Sequence, residues 1–293
     1  MDHFQIQTVL KRVEIRRKYR GEQVDIGIDT EVIDHLKLKH EIAMLKRDMR
    51  RERFNDDVHE GPPPPEPRDD LIRDLVSELP NVSGGWREFF LREFDKSYTA
   101  DLLDTLRGSR GRLTPSLDRV LHAFSFIKSP RDVRVLLVGN RAYRWRGFNG
   151  MGFGTTEGCG AQHVANLRQE LGGNYDATLE DWARQGVLCL AVGPTCSSGA
   201  DDHTDAWSRL LQTVIARCLS SNKKLQAIAI GADARKLFNM SVTQLSGSLS
   251  QGQCLFSADY LYRSDFLMSR VFSHTNSQLR FHKLKEVRWL IND

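Results

Sequence analysis

Four short apolar runs organise the chain. The first lies within Val133–Phe153, where residues 135–138 are all apolar, reach Gly139, and open into a loop of Arg, Tyr and Trp. Residues 186–192 and 225–231 form two further runs, and the shorter run 254–256 is the fourth. Continuous apolar runs of this length are typical of strands that are buried on both faces of a parallel sheet. Ligands of such sheets bind beyond the carboxyl ends of the strands, so the loop after Gly139 is a candidate site.

Helical periodicity is found before and between these runs. The predicted helices cover 69–79, 86–106, 113–124, 161–171, 179–185, 206–219, 232–238 and 269–279. Because strands and helices alternate, we predict an α/β fold with a central, mostly parallel four-stranded sheet flanked by helices.

The first 60 residues differ from the rest of the chain. Apolar residues recur three or four positions apart between 38 and 49, and the last turns of this predicted helix are rich in Lys and Arg. We predict an N-terminal helical extension over 1–60 that packs on the main domain, contacts a protein partner or serves as a basic arm for nucleic acid. Pro-rich residues 61–68 predict a stiff linker, which places the main domain at 69–293.

Composition narrows the function classes. The chain has 293 residues, a formal charge of +4 and five cysteines without a C-x-x-C pair. We therefore expect a soluble, intracellular protein of a reducing compartment. No apolar run approaches the roughly 20 residues that span a bilayer, so we expect no membrane contact. The resemblance described next adds the nucleus or another DNA-containing compartment as a location open to this protein. Since no metal-ligand spacing or phosphate-loop motif is present, we expect no metal and no cofactor.

From Trp86 onward, several segments resemble the family 1 uracil-DNA glycosylases, in the family's order. Residues 133–144 resemble the family's VKVVILGQDPYH, and 182–191 resemble its W-A-x-Q-G-V-L-L-L-N. The other matching segments are 86–98, 150–153, 166–171, 272–276 and the pair His203 and Trp207. The resemblance implies the glycosylase fold and a protein that flips a base out of DNA and cleaves its N-glycosidic bond.

Three polar catalytic groups of that family are replaced here. The Asp that orients water and faces the cationic sugar corresponds to Arg141, and the Asn that reads the base edge corresponds to Ala191. Ser257 corresponds to the His that stabilises the charge on uracil O2. The resemblance therefore implies a degenerate catalytic site.

Other positions of the family's pocket are kept. Asn140, Tyr143 and Phe153 correspond to the base pocket, in which the family's Tyr excludes the 5-methyl group of thymine and its Phe stacks on uracil. Leu261 corresponds to the leucine that enters the duplex. Core packing is the alternative for Phe153 and Leu261.

The loop after Gly139 has gained basic and aromatic side chains, which suit backbone neutralisation and base stacking. A solvated basic loop is the alternative. The predicted DNA-binding residues are Arg141, Arg144, Trp145, Arg146, His203, Lys236, Leu261 and Arg263.

We thus predict a catalytically inactive protein of the glycosylase fold, which binds DNA or acts as an adaptor in a DNA replication or repair assembly. The first alternative is a divergent active glycosylase whose carboxylate is Asp259 or Asp202. The second alternative is a structural module that reuses the fold for protein interaction.

Overall fold

The computed structural model describes residues 69–141, 147–156, 162–197, 202–245, 249–261 and 264–291. The predicted extension 1–60 and linker 61–68 lie outside these residues. Four strands are described: β1 Val135–Arg141, β2 Val187–Gly193, β3 Gln226–Ile230 and β4 Cys254–Ala258. They form one sheet in the order β2-β1-β3-β4, and all three pairings are parallel. The predicted α/β class and strand number are confirmed.

Helices flank this sheet. Within the described residues they are α1 Asp70–Leu75, α2 Trp86–Phe94, α3 Ala100–Gly108, α4 Gln162–Leu171, α5 Glu180–Arg184, α6 Thr204–Ser221, α7 Ala232–Leu245 and α8 Val271–Phe281. Helix α6 packs on β2 and α7, and α8 packs on β3 and β4. No described helix has the length and apolarity needed to cross a membrane.

The apolar strands form the centre of the core. All seven residues of β2 and all five of β3 are buried, as expected for strands covered on both faces. An aromatic cluster closes one side, where Trp182 stacks on Tyr175 and its indole N–H donates to the Trp289 carbonyl at 2.9 Å. These contacts make the sheet a rigid support for the loops that follow its strands.

The helix predicted over 86–106 is interrupted. Helix α2 ends at Phe94, a 3-10 turn follows at Ser97–Thr99, and α3 begins at Ala100. The buried Thr99 hydroxyl lies 2.7 to 3.3 Å from three carbonyl oxygens of residues 93–96. A hydroxyl that caps these carbonyls competes with helix continuation, so the chain turns here.

The helix predicted over 113–124 was wrong. Two 3-10 turns, Leu117–Arg119 and His122–Phe124, replace it. Thr114 instead pairs with Cys196 as an antiparallel bridge, with N···O distances of 2.8 and 3.0 Å. The bridge keeps this backbone extended, and Pro115 next to it has no N–H for a helical hydrogen bond.

Candidate functional site

One row of paired residues crosses the sheet at or near the carboxyl ends of the four strands. Gly139 of β1 lies opposite Ala191 of β2 and Ile230 of β3, and Ile230 lies opposite Ala258 of β4. We call this row, with the loops that follow it, the carboxyl edge. Because the row itself is small and apolar, polar groups for a ligand must come from those loops.

Phe153 covers the end of β1. A Cβ placed on Gly139 would lie 1.9 Å from Phe153 Cζ, so the ring rests directly on the glycine backbone. Asn149 holds the loop that carries Phe153, because its amide donates to the Thr178 carbonyl at 2.8 Å and its Oδ1 accepts from the Met151 N–H at 3.1 Å. The contact with Gly139 places Phe153 at the carboxyl edge. Because its side chain is only 4% exposed, it is packed as a core residue.

Helix α4 connects the Phe153 loop to the segment after β4. The ring of His163 hydrogen-bonds the backbone of Phe153, and Asn166 Nδ2 donates to the Leu261 carbonyl. Burial lowers the pKa of His163 to about 4, and the bond to the Phe153 backbone only partly opposes this. The imidazole is therefore neutral at pH 7. Sequence analysis assigned no site role to either residue, although polar residues on an otherwise apolar helix face were the available signal.

The structure corrects the placement of Leu261. Its side chain is 2% exposed and belongs to the core, so it does not face DNA in this structure. The bond from Asn166 fixes its backbone toward the interior. Of the two readings that the sequence left open for Leu261, core packing is the one observed.

Three other predicted residues lie near the carboxyl edge. Ser257 is an exposed residue inside β4, opposite Ala229, and Asp259 is the first residue after that strand. Lys236 is exposed in the second turn of α7, the helix that follows β3.

Ala191 lies in apolar surroundings. It is 2% exposed and lines a small cavity together with aliphatic and aromatic side chains. The cavity-lining side chains include Phe90, Val120, Phe124, Leu190, Trp207 and Leu210. At the position that corresponds to the family's base-reading Asn, a methyl group thus faces the protein interior.

His203 is also internal, which corrects its prediction as a DNA-binding side chain. It is 7% exposed, and its Nδ1 lies 2.9 Å from Thr195 Oγ1. Thr195 Oγ1 also accepts from the Trp207 indole at 2.7 Å. Asp202, the residue before His203, lies just ahead of α6, and its Oδ1 accepts the N–H of Thr204, the first residue of that helix, at 2.8 Å.

A glycine fixes the edge between β3 and β4. Gly231 has φ +94, and a Cβ there would lie 2.6 Å from Cε1 of Tyr260. Its N–H donates to the Ala258 carbonyl at 3.0 Å, which ties the two strand ends together. Tyr260 remains 37% exposed and its N–H donates to Asp259 Oδ1 at 2.8 Å. This segment thus presents an aromatic ring and a carboxylate at the carboxyl edge.

The remaining predicted site residues belong to the undescribed part of the chain. Arg141 ends β1 opposite Gly193, but its side chain and that of Asn140 lie outside the described residues. The same applies to the whole of Tyr143, Arg144, Trp145, Arg146 and Arg263. Among the described residues, no three His, Cys, Asp or Glu side chains are arranged to hold a metal ion.

Comparison with known proteins places this fold in a defined class. The solved structure of mimivirus uracil-DNA glycosylase superposes with a TM-score of 0.62 and 16% identity, over 76% of this chain and 91% of that chain. A mimivirus UNG variant, Y322F, solved in complex with UGI, superposes with a TM-score of 0.63 and 17% identity, over 76% of this chain and 93% of that chain. The described domain therefore has the uracil-DNA glycosylase fold.

Sequence relatives agree with the fold. The uracil-DNA glycosylase of bovine herpesvirus 1.1 is 28% identical over 61% of this chain and 90% of its own length. That of Lactiplantibacillus plantarum is 27% identical over 70% of this chain and 92% of its own length. The match to the equine herpesvirus 1 protein spans 53% of this chain and about half, 54%, of that relative. No family model matches the chain. The chain is thus similar in sequence and in fold to uracil-DNA glycosylases.

Proposed function

We propose that this protein binds DNA at its carboxyl edge and does not hydrolyse uracil by the mechanism of the glycosylase family. The observation that carries the proposal is the environment of Ala191, which is buried among apolar side chains. A methyl group neither donates nor accepts a hydrogen bond, and discrimination between similar ligands depends on such bonds. The row of Gly139, Ile230 and Ala258 adds no polar side chain beside it.

The residue that ends β1 supports the same proposal. Arg141 stands where the resemblance puts the family's Asp. At about 4 Å and an effective dielectric of about 20, an attraction of roughly 4 kcal/mol toward a developing cation becomes a repulsion of similar size. Loss of one preorganised charge partner typically lowers the rate by about 10²–10³. We infer that family-type catalysis does not operate here.

DNA is the partner that the carboxyl edge suits. Arg144, Arg146 and Trp145 follow β1 in sequence and combine phosphate-binding cations with an aromatic ring. As part of the same proposal, the predicted N-terminal helix and the predicted Pro-rich linker hold a protein partner in a DNA replication or repair assembly. If the protein binds no DNA at low salt and forms a stoichiometric complex with a protein, the fold serves as an interaction module instead.

A divergent active glycosylase is the second candidate. The relatives that match this chain are named uracil-DNA glycosylases, and this favours activity. The position of Asp259 directly after β4 supplies a carboxylate at the carboxyl edge. Asp202 suits this role less well, because its Oδ1 already accepts hydrogen bonds from the N–H and the hydroxyl of Thr204.

Uracil release from a labelled single-stranded oligonucleotide, with protein in excess over hours, separates the two candidates. We expect no release by the wild-type protein. Release that Asp259→Asn abolishes and the matched Asp202→Asn keeps would establish the second candidate and contradict the first. Release that survives both substitutions would point to a contaminating enzyme.

Fluorescence anisotropy with an oligonucleotide, repeated at several salt concentrations, tests DNA binding. We expect Arg144→Ala and Arg146→Ala each to weaken binding and to lower the slope of log K against log salt by about 0.7 on single strands. Arg73→Ala, an exposed α1 residue, is the matched control. If neither loop substitution changes the affinity for DNA or its salt slope, the carboxyl edge does not bind DNA.

A further inference from the structure

The opposite edge of the sheet, where the strands begin, carries a group of exposed lysines. Two of them precede β3 and two follow α8. No carboxylate of the described residues lies within salt-bridge distance of these four side chains. With two neighbouring aromatic rings they form what we call the amino-edge patch: Lys223, Lys224, Phe281, His282, Lys283 and Lys285.

Backbone contacts bring the two pairs of lysines onto one surface. A Cβ on Gly252, which lies just before β4, would be 2.7 Å from the Lys223 carbonyl oxygen and 3.6 Å from His282 Cε1. The Gln226 amide donates to the carbonyls of Lys224, at 2.9 Å, and of Gly252, at 3.0 Å. The segment before β3 and the segment after α8 are therefore neighbours through Gly252.

An exposed aromatic ring lies beside these lysines. Phe281, the last residue of α8, is 77% exposed, and its ring centroid lies 5.2 Å from that of His282 at an interplanar angle of 77°. A cation near the carboxyl end of a helix stabilises the helix dipole, which would account for Lys283. The helix dipole does not account for Lys223 and Lys224, which belong to another segment. Nor does it account for the exposure of the apolar Phe281 ring to water.

The nearby acidic group does not neutralise the patch. Glu286 is exposed and pairs with Arg280, the residue before Phe281, at 3.2 Å. Arg134 donates to the Lys285 carbonyl and so anchors the segment after α8 to the start of β1. The surface therefore has a fixed backbone and a surplus of positive charge.

We propose that the amino-edge patch binds single-stranded nucleic acid. The lysines neutralise phosphates, and the Phe281 ring stacks on an unpaired base. A duplex keeps its bases stacked and offers none to this ring, and an acidic peptide would engage the lysines but not the ring. A strand of five residues separates the patch from the carboxyl edge by about 17 Å, so this is a second contact, and its test does not depend on the proposed function.

Binding of the full chain to a labelled oligothymidylate, followed by anisotropy from low to moderate salt, tests this proposal. We expect Lys223→Gln/Lys224→Gln and Lys283→Gln/Lys285→Gln each to lower the salt slope by about 1.4, at 0.7 for each phosphate contact. Phe281→Ala should weaken binding at least about fivefold through lost stacking, with an unchanged salt slope. Glu286→Gln should strengthen binding, because it frees Arg280.

Arg73→Gln/Arg110→Gln is the matched control, since it removes the same charge from two exposed ion pairs made with α1. If this control weakens oligonucleotide binding as much as the patch variants do, the effect comes from net charge alone and the proposal is overturned. The proposal also fails if the patch variants bind like wild type. Poly-glutamate and unlabelled oligothymidylate are then compared as competitors at equal concentration of negative charge. If poly-glutamate displaces the labelled oligonucleotide equally well, the patch is a site for acidic proteins instead. Variants of Arg144 and Arg146 affect the carboxyl edge alone, so either surface can fail without the other.

Discussion

The ring of Phe153 rests on the backbone of Gly139, at a distance that leaves no room for a Cβ. This contact joins the end of β1 to the loop that carries Phe153, and it defines the floor of the carboxyl edge. A residue other than glycine at position 139 must displace the ring or bend the strand.

Gly139→Ala should therefore lower the free energy of unfolding by about 1–3 kcal/mol, as overpacking in a rigid core does. Phe153→Leu in the same chain removes the clashing atoms, so the double variant should be less destabilised than the two single variants add up to. Urea unfolding of the four proteins measures the coupling. Gly108→Ala is the control, because a Cβ there meets nothing within 4 Å. Simple additivity would show that ring and glycine are not in contact.

Ala191→Asn should destabilise the protein without producing uracil release. The new amide would be buried among apolar groups, at a cost of about 1–3 kcal/mol when its hydrogen bonds are not made. Ala191→Leu adds a side chain of the same shape without the amide, so the difference in unfolding free energy between the two variants isolates the polar cost. Equal stability, or release restored by the single change, would contradict an apolar environment at this position.

The stability of the protein should fall with acidification through His163. Its pKa is lowered from the usual 6.5 to about 4 in the folded state, so the unfolded chain takes up a proton first as the pH falls. The contribution is complete above pH 6.5 and is lost between pH 6.5 and 4, by an amount on the order of 3 kcal/mol. His163→Gln should flatten the pH dependence of the unfolding free energy in that window. An unchanged pH profile would mean that His163 does not titrate there.

Thr195→Val should destabilise the segment after β2. The buried hydroxyl accepts from the Trp207 indole and lies 2.9 Å from His203 Nδ1, so valine leaves two buried polar groups without this partner. We expect a loss of about 1–3 kcal/mol in thermal or chemical unfolding. Thr195→Ser keeps the hydroxyl and should recover most of the loss. If serine and valine behave alike, the hydroxyl is not the stabilising group.

Local sequence patterns were sufficient to predict the elements that are formed mainly by the burial of apolar residues. Continuous apolar runs predicted β1, β2 and β3, because strands covered on both faces are apolar along most of their length. The shorter run 254–256 predicted β4, although Ser257 in that strand is exposed. The break at Thr99 was harder to predict, because it depends on one buried hydroxyl that competes with helical hydrogen bonds.

The candidate site could be predicted only in part. The run before Gly139 located the carboxyl edge, and the resemblance located Phe153 and Ala191 on it. Neither source gave the buried hydrogen bonds from α4, since Asn166 and Leu261 are 95 residues apart in sequence. The extended pairing of Thr114 with Cys196 is similarly remote and replaced a predicted helix.

The sequence by itself thus determined the α/β class and the strands, since these follow from the pattern of apolar residues. Only the tertiary structure decided which side chains face the carboxyl edge. The motifs predicted that Leu261 and His203 are surface residues, but both are buried. Leu261 accepts a hydrogen bond from Asn166, and His203 is hydrogen-bonded to Thr195. The physical reason is that burial depends on contacts between segments far apart in the chain, which no local pattern contains.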